Sequence, residues 1–153
     1  MANIVFNIAK GRVVEYYNRV KSNDPANSAL ILVPIETSGL EADSTLIDVD
    51  TLAALVAGTT NEQTTMGRKI LTDSDLASLP APDDTNDRYE VSLPTVTWTA
   101  ASGNAISKIA VCYDSDTTGG TDSNIIPLTM FDFAQTPSGA DIQMTTGVFF
   151  RAS

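Results

Sequence analysis

Between Tyr89 and Phe150, apolar side chains recur at every second position in short runs, and turn residues separate the runs. Tyr89, Val91 and Leu93 alternate. After Pro94, Val96 and Trp98 alternate in the opposite phase, and Ile109, Val111 and Tyr113 follow. Ile126, Leu128 and Met130 are then expected on one face, Phe131 and Phe133 on the other, with Val148-Phe149-Phe150 closing the chain. Turns are expected at Ser102-Gly103-Asn104, Thr118-Gly119-Gly120 and Pro137-Ser138-Gly139. A period of two belongs to strands, because successive side chains on a strand point to opposite faces. Several such strands at regular spacing predict an all-β, mainly-β chain: an antiparallel β-sandwich, jelly-roll-like, with one short α-helix. The change of phase at Pro94 predicts a bulge or bend there.

The N-terminal half fits the same scheme less regularly. Asn3 to Ile8 is apolar and β-branched and reads as a strand near a chain end. Arg12 to Val20 has two readings. Val13, Tyr17 and Val20 would share a helix face, whereas Val14, Tyr16 and Asn18 alternate; the β-branched and aromatic content favours a strand. Lys21 to Ser28 is a polar turn. Ala29-Leu30-Ile31-Leu32-Val33-Pro34-Ile35 is a near-continuous apolar run, which suits a strand buried on both faces with Pro34 near its end. The helix is expected over Leu52 to Ala57, capped by Asp48 or Asp50, stopped by Gly58 and lying across an open end of the sheets. Thr59 to Gly67 reads as a polar loop, Arg68 to Thr72 as a short strand, and Asp73 to Asp87 as a long exposed loop. The whole of 1–153 is expected to be a single domain, with 1–28 as an N-terminal arm or strand pair contacting neighbouring subunits.

Charge narrows the partners. The 153 residues carry 19 acidic and 9 basic side chains, for a net charge of −10. A field of that sign repels phosphate backbones and anionic lipid, so nucleic acid and membrane are not expected as partners. Charged residues make up 18 % and apolar residues 42 %, which points to a packed core and not to a charge-solvated disordered chain. No apolar run approaches the ~20 residues that span a bilayer. Met1-Ala2-Asn3-Ile4 has no charged lead before an apolar run, so synthesis in the cytoplasm is expected.

Little in the chain is suited to catalysis. It has no histidine, the commonest general base, and its one cysteine, Cys112, sits in the apolar run Ile109 to Tyr113. Phosphate-cradling glycine loops are missing. No catalytic residues and no cofactor are therefore expected. The nearest thing to a metal site is Asp114-Ser115-Asp116-Thr117-Thr118-Gly119-Gly120-Thr121-Asp122, which imitates the start of a calcium loop, with Asp114, Asp116 and Asp122 as the candidate ligands. Position twelve of that loop would be Ile125 where a glutamate is required, and a solvated turn between two strands accounts for the same residues. Aromatic residues suggest interfaces. Tyr16, Tyr17, Phe149 and Phe150 are candidate anchors, with Ile4 and Phe6 on a strand that would be an open edge in a lone subunit. Adjacent Phe149 and Phe150 should point to opposite faces, so one of them should need cover from outside the sheet's own core.

The text of the chain resembles a known family. The resemblance is carried by Ile4-Val5-Phe6-Asn7-Ile8-Ala9-Lys10-Gly11-Arg12, Leu40-Glu41-Ala42-Asp43, Asp50-Thr51-Leu52-Ala53 and Trp98-Thr99-Ala100. It continues through Ile106-Ser107-Lys108, Val111-Cys112-Tyr113-Asp114, Thr117 to Asp122 and Gly147-Val148-Phe149-Phe150-Arg151-Ala152-Ser153. Together these are similar to capsid decoration, or cement, proteins of tailed bacteriophages, over nearly the whole chain. The resemblance implies an accessory head protein on the outer surface of the virion's capsid lattice, with the major capsid protein as partner and no active site to carry over. Closed symmetric oligomers are the usual form of such units, which favours a homo-trimer over a dimer. The competing expectation is a non-enzymatic β-sandwich module of a tail or fibre that binds carbohydrate or calcium.

Overall fold

The computed structural model describes residues 4–153. In chain order the strands are β1 (Ile4–Val5), β2 (Ala29–Glu36), β3 (Lys69–Leu71), β4 (Tyr89–Leu93), β5 (Val96–Trp98), β6 (Ile106–Asp114), β7 (Ile126–Gln135), β8 (Ile142–Met144) and β9 (Gly147–Ala152). The helices are α1 (Val13–Lys21), α2 (Asp43–Leu46), α3 (Leu52–Leu55) and α4 (Asp73–Leu76). Five strands form a central sheet in the order β1-β7-β6-β2-β3, while β4-β9 and β5-β8 form separate ribbons. Every pairing is antiparallel. The chain is mainly β, as its periodicity predicts.

Why β2 lies at the heart of the sheet follows from its composition. Leu30 and Leu32 enter one apolar cluster, and Ala29, Ile31, Val33 and Ile35 enter the other, so both faces of the strand are buried. Pro34 fits without breaking the ladder. Its carbonyl accepts from the Gln63 backbone N–H at 2.9 Å, so its missing donor also faces that loop and not β6.

The two sheet faces are covered differently. One meets α1, β4, β5, β8 and β9 in a cluster that includes Tyr17, Trp98, Ile109 and Val111. The other is closed by Phe6, Leu46, Leu52 and Leu55 over Ile31, Val33, Ala110 and Met130. Burying such side chains contributes roughly 1.5–3 kcal/mol each. The second layer thus differs from the continuous sheet of a jelly-roll sandwich. Pro94 separates β4 from β5, the two strands take different partners, and a helix fills the space beside them.

Several expectations change here. Among the described residues there are four helices, not one. Arg12 to Val20 is not a strand: Val13, Tyr16, Tyr17 and Val20 are all buried, which is the i, i+3, i+4, i+7 stripe of a helix. On the outer face Glu15 pairs with Arg12 and Arg19 at 3.1 and 3.0 Å, spacings that a helix provides and a strand does not. The expected strand from Asn3 to Ile8 is reduced to β1; Phe6 then turns into the core, Asn7–Ala9 is a 3-10 turn, and Asn3 lies outside the described residues. Phe6, Val13, Tyr16, Tyr17 and Val20 consequently pack this N-terminal segment against the sheet. The expected helix at Leu52 is α3, shorter than its pattern suggests and capped by Thr51, whose hydroxyl accepts from the Ala54 N–H at 3.1 Å. Asp48 binds the Asn7 side chain instead, and α3 lies over a sheet face, not an open end. The long loop after Thr72 is pinned by α4, whose Leu76 is fully buried.

Two bulges alter which side chains share a face. Val111 pairs with Thr129 and Cys112 with Pro127, so Leu128 is an extra residue in β7. Leu128 and Met130 therefore enter different clusters, contrary to the simple alternation. In the β4–β9 ribbon, Val91 pairs with Phe150 and Ser92 with Val148, leaving Phe149 extra. Phe149 is buried in the same cluster against which Phe150 packs, so the adjacent phenylalanines share one side.

Candidate interaction surface

The chain's reactive side chains are engaged in holding its own fold. Arg68, just before β3, is the clearest case. It donates to Glu62 (Nε to Oε1 2.7 Å, Nη2 to Oε2 2.6 Å) and to Asp122 (Nη1 to Oδ1 2.7 Å, Nη2 to Oδ2 2.8 Å). The guanidinium holds the Asp122 carboxyl below the usual carboxylate range, while the two carboxylates raise Arg68 itself. This removes Asp122 from the calcium candidate. Asp116 accepts from the Thr118 hydroxyl at 2.5 Å and its N–H at 3.0 Å, and Asp114 accepts from the Asp116 N–H at 3.1 Å. These are turn-closing bonds. Among the described residues no group of three or more His, Cys, Asp or Glu side chains is arranged to hold a metal.

Lys108 on β6 is a second internal clamp, reaching Asp132 at 2.7 Å and Asp43 at 3.2 Å. Burial opposes its charge, but the two carboxylates outweigh burial and raise its pKa. Gln63 is a third fastener, and nothing in its sequence neighbourhood marks it. Its amide donates to the Ser102 and Asn104 carbonyls at 3.1 and 3.0 Å, and its oxygen accepts from the Thr65 and Met66 N–H groups at 2.8 and 3.2 Å. Gly103 lies against that amide with φ +103°, where a Cβ would collide with it. The Cys112 thiol is fully buried, and burial pushes its pKa up, away from the reactive thiolate.

Most of the expected interface anchors are engaged in the same way. Phe6, Tyr16, Tyr17 and Phe149 are buried inside the protomer, and Ile4 and Phe150 are half-buried. Tyr16 stacks on Tyr113 with ring centroids 4.6 Å apart, and burial pushes the Tyr17 phenol up to about 12. These side chains serve folding, which removes the fully buried ones from an interface between folded subunits. What remains outside is smaller. Ile70 on β3 is 55 % exposed and Val148 on β9 is 49 % exposed. Val148 forms the rim of an open apolar cleft of about 130 Å³, lined with Leu93, Phe131, Met144, Gly147 and Phe149. Sequence reading missed this cleft because the Phe149 bulge creates it. No described helix is long and apolar enough to cross a membrane.

Set against family models, curated proteins and solved structures, the chain finds no match in any of the three.

The depressed carboxylates fix the pH behaviour. Asp122, Asp116, Asp83 and Glu15 all titrate below their ordinary values, each first through a side-chain hydrogen bond: from Arg68, Thr118, Asn86 and Arg12 respectively. A folded pKa below the unfolded one adds stability above the unfolded pKa and loses it as pH falls through the folded pKa. With no histidine, the urea midpoint should stay nearly level from pH 6 to 8 and fall below about pH 4. Asp122→Asn should flatten part of that acid fall, so that variant and parent converge near pH 3. Parallel curves down to that pH would contradict the assignment.

Proposed function

We propose that this chain is a structural virion protein that binds the outer surface of a tailed-phage capsid lattice and stabilises the head, with the major capsid protein as its partner. The textual resemblance to decoration proteins supplies the reading. One structural observation supports it most: nearly all the cationic and aromatic side chains are engaged internally, leaving a tightly fastened body whose exposed apolar surface includes a single-residue rim beside a cleft. A protein built to clamp a lattice needs rigidity and a contact surface, with no reaction centre. Assembly as a homo-trimer is part of the proposal, and the net charge of −10 predicts that it forms more readily in salt.

The tail or fibre reading has less to stand on. Trp98 and the tyrosines that could stack on a sugar are largely buried, and Asp122 belongs to Arg68. The test is cosedimentation with purified shells that lack the protein. Saturable binding at micromolar concentration, at a ratio set by the lattice, is expected. Protein left in the supernatant under those conditions would refute the head reading.

A further inference from the structure

Resting on that reading, we infer that the cleft beside Val148 is the anchor point for the shell, and that the surface docking there is cationic and inserts one aliphatic or aromatic side chain.

Size and shape come first. A closed apolar cavity of about 150 Å³ accommodates a benzene ring. An open cleft of about 130 Å³ lined by Leu93, Phe131, Met144 and Phe149 therefore suits one branched aliphatic or aromatic side chain. The bulge supplies the rim. By turning Phe149 and Phe150 to the same cluster, it leaves Val148 projecting at 49 % exposure, the re-aiming of a side chain that bulges commonly produce.

Charge selects the occupant. Eight of the nine cationic side chains are engaged within the chain. Arg12 and Arg19 pair with Glu15, Arg88 and Arg151 with Glu90, and Arg68 and Lys108 form the two clamps. Lys21 donates to the Leu79 carbonyl, and Lys69 lies over the Trp98 ring. Of the 19 carboxylates, only seven enter ion pairs among the described residues, which leaves twelve outside them. The outward field is negative, and no reserve of free cations offsets it. A second copy brings the same field, so contact between copies is opposed at low salt and eased by screening. A cationic surface is attracted, and attraction of that kind speeds association and sets orientation.

The experiment uses shells lacking the protein and three forms of the full chain: the parent, Val148→Asp and Ile70→Ser. Ile70 is the control, an equally exposed apolar residue on β3, far from the cleft in the sheet order. Urea midpoints confirm that both variants fold. The expected result is shell binding about tenfold or more weaker for Val148→Asp, the size of a central anchor, with Ile70→Ser within about twofold of the parent. Parent binding should also weaken as sodium chloride is raised. Binding by the parent with no loss for Val148→Asp, or with gain in salt, overturns the inference and leaves the head reading standing. A parent that does not bind shells overturns both. A Val148→Asp change that instead dissolves an oligomer of the protein alone assigns the cleft to a second copy and overturns the inference.

Discussion

Trp98→Ala should cost about 3–5 kcal/mol, the range for removing a large aromatic residue from a core. Trp98 is 1 % exposed, and its surroundings explain why little can collapse into the space it leaves. Its ring lies against Phe133, with centroids 6.3 Å apart, and Lys69 sits over it at 5.9 Å. Its indole N–H donates to the Gly67 carbonyl at 2.9 Å, which ties the loop before β3 to the β5–β8 ribbon. Alanine removes the volume and leaves that carbonyl without its donor. Trp98→Phe keeps most of the volume and loses only the hydrogen bond, so a loss of about 1–2 kcal/mol is expected. A domain of this size is stable by roughly 5–15 kcal/mol, so the alanine variant should retain a folded state with a much lower urea midpoint. Since Trp98 is the only tryptophan, both variants are followed by far-ultraviolet circular dichroism. A loss below about 1 kcal/mol for alanine would mean that the second layer closes over the gap, and the fastening role would be wrong.

The difference between local and long-range information explains what was legible beforehand. The apolar run of β2, the alternation in β4, β5 and β6, and the turns around Gly103 and Gly120 are written in neighbouring residues. They gave the mainly-β class. The α1 segment was ambiguous locally, because β-branched and aromatic residues suit a strand. Only the sheet face onto which Val13, Tyr16, Tyr17 and Val20 pack decides it. The bulges at Leu128 and Phe149 are properties of pairing between distant strands, so parity counted along one strand fails beyond each of them. For the same reason the cleft could not be read in advance. The aromatic pairs read as interface anchors because composition cannot distinguish a buried aromatic residue from an exposed one. Nothing local marks Arg68 and Gln63, because their partners lie up to 54 and 41 residues away, inside segments that read as polar loop.

Arg68→Met should cost about 2–4 kcal/mol at neutral pH, less than a fully buried ion pair because Asp122 keeps 37 % of its side chain in solvent. The loss has a particular form. Removing the guanidinium leaves Glu62 and Asp122 facing one another without their shared cation, so each carboxylate disfavours charge on the other. The folded pKa of Asp122, which the guanidinium holds down, should then rise. A raised carboxylate pKa makes the folded state the better proton binder, so the variant should gain on the parent as pH falls from 7 towards 4. The triple variant Arg68→Met, Glu62→Gln, Asp122→Asn removes the charges altogether. It should recover much of the loss, because neutral, hydrogen-bonding side chains carry no uncompensated charge into the site. The three contributions should accordingly be strongly non-additive, as expected for residues sharing one hydrogen-bonded network. Urea unfolding of the parent, the single variants and the triple at pH 7 and pH 4 measures all of this. A stability gap between parent and Arg68→Met that stays constant across that range, or a triple variant no more stable than the single, would show that Arg68 contributes through packing of its stem alone and not through the carboxylates it joins.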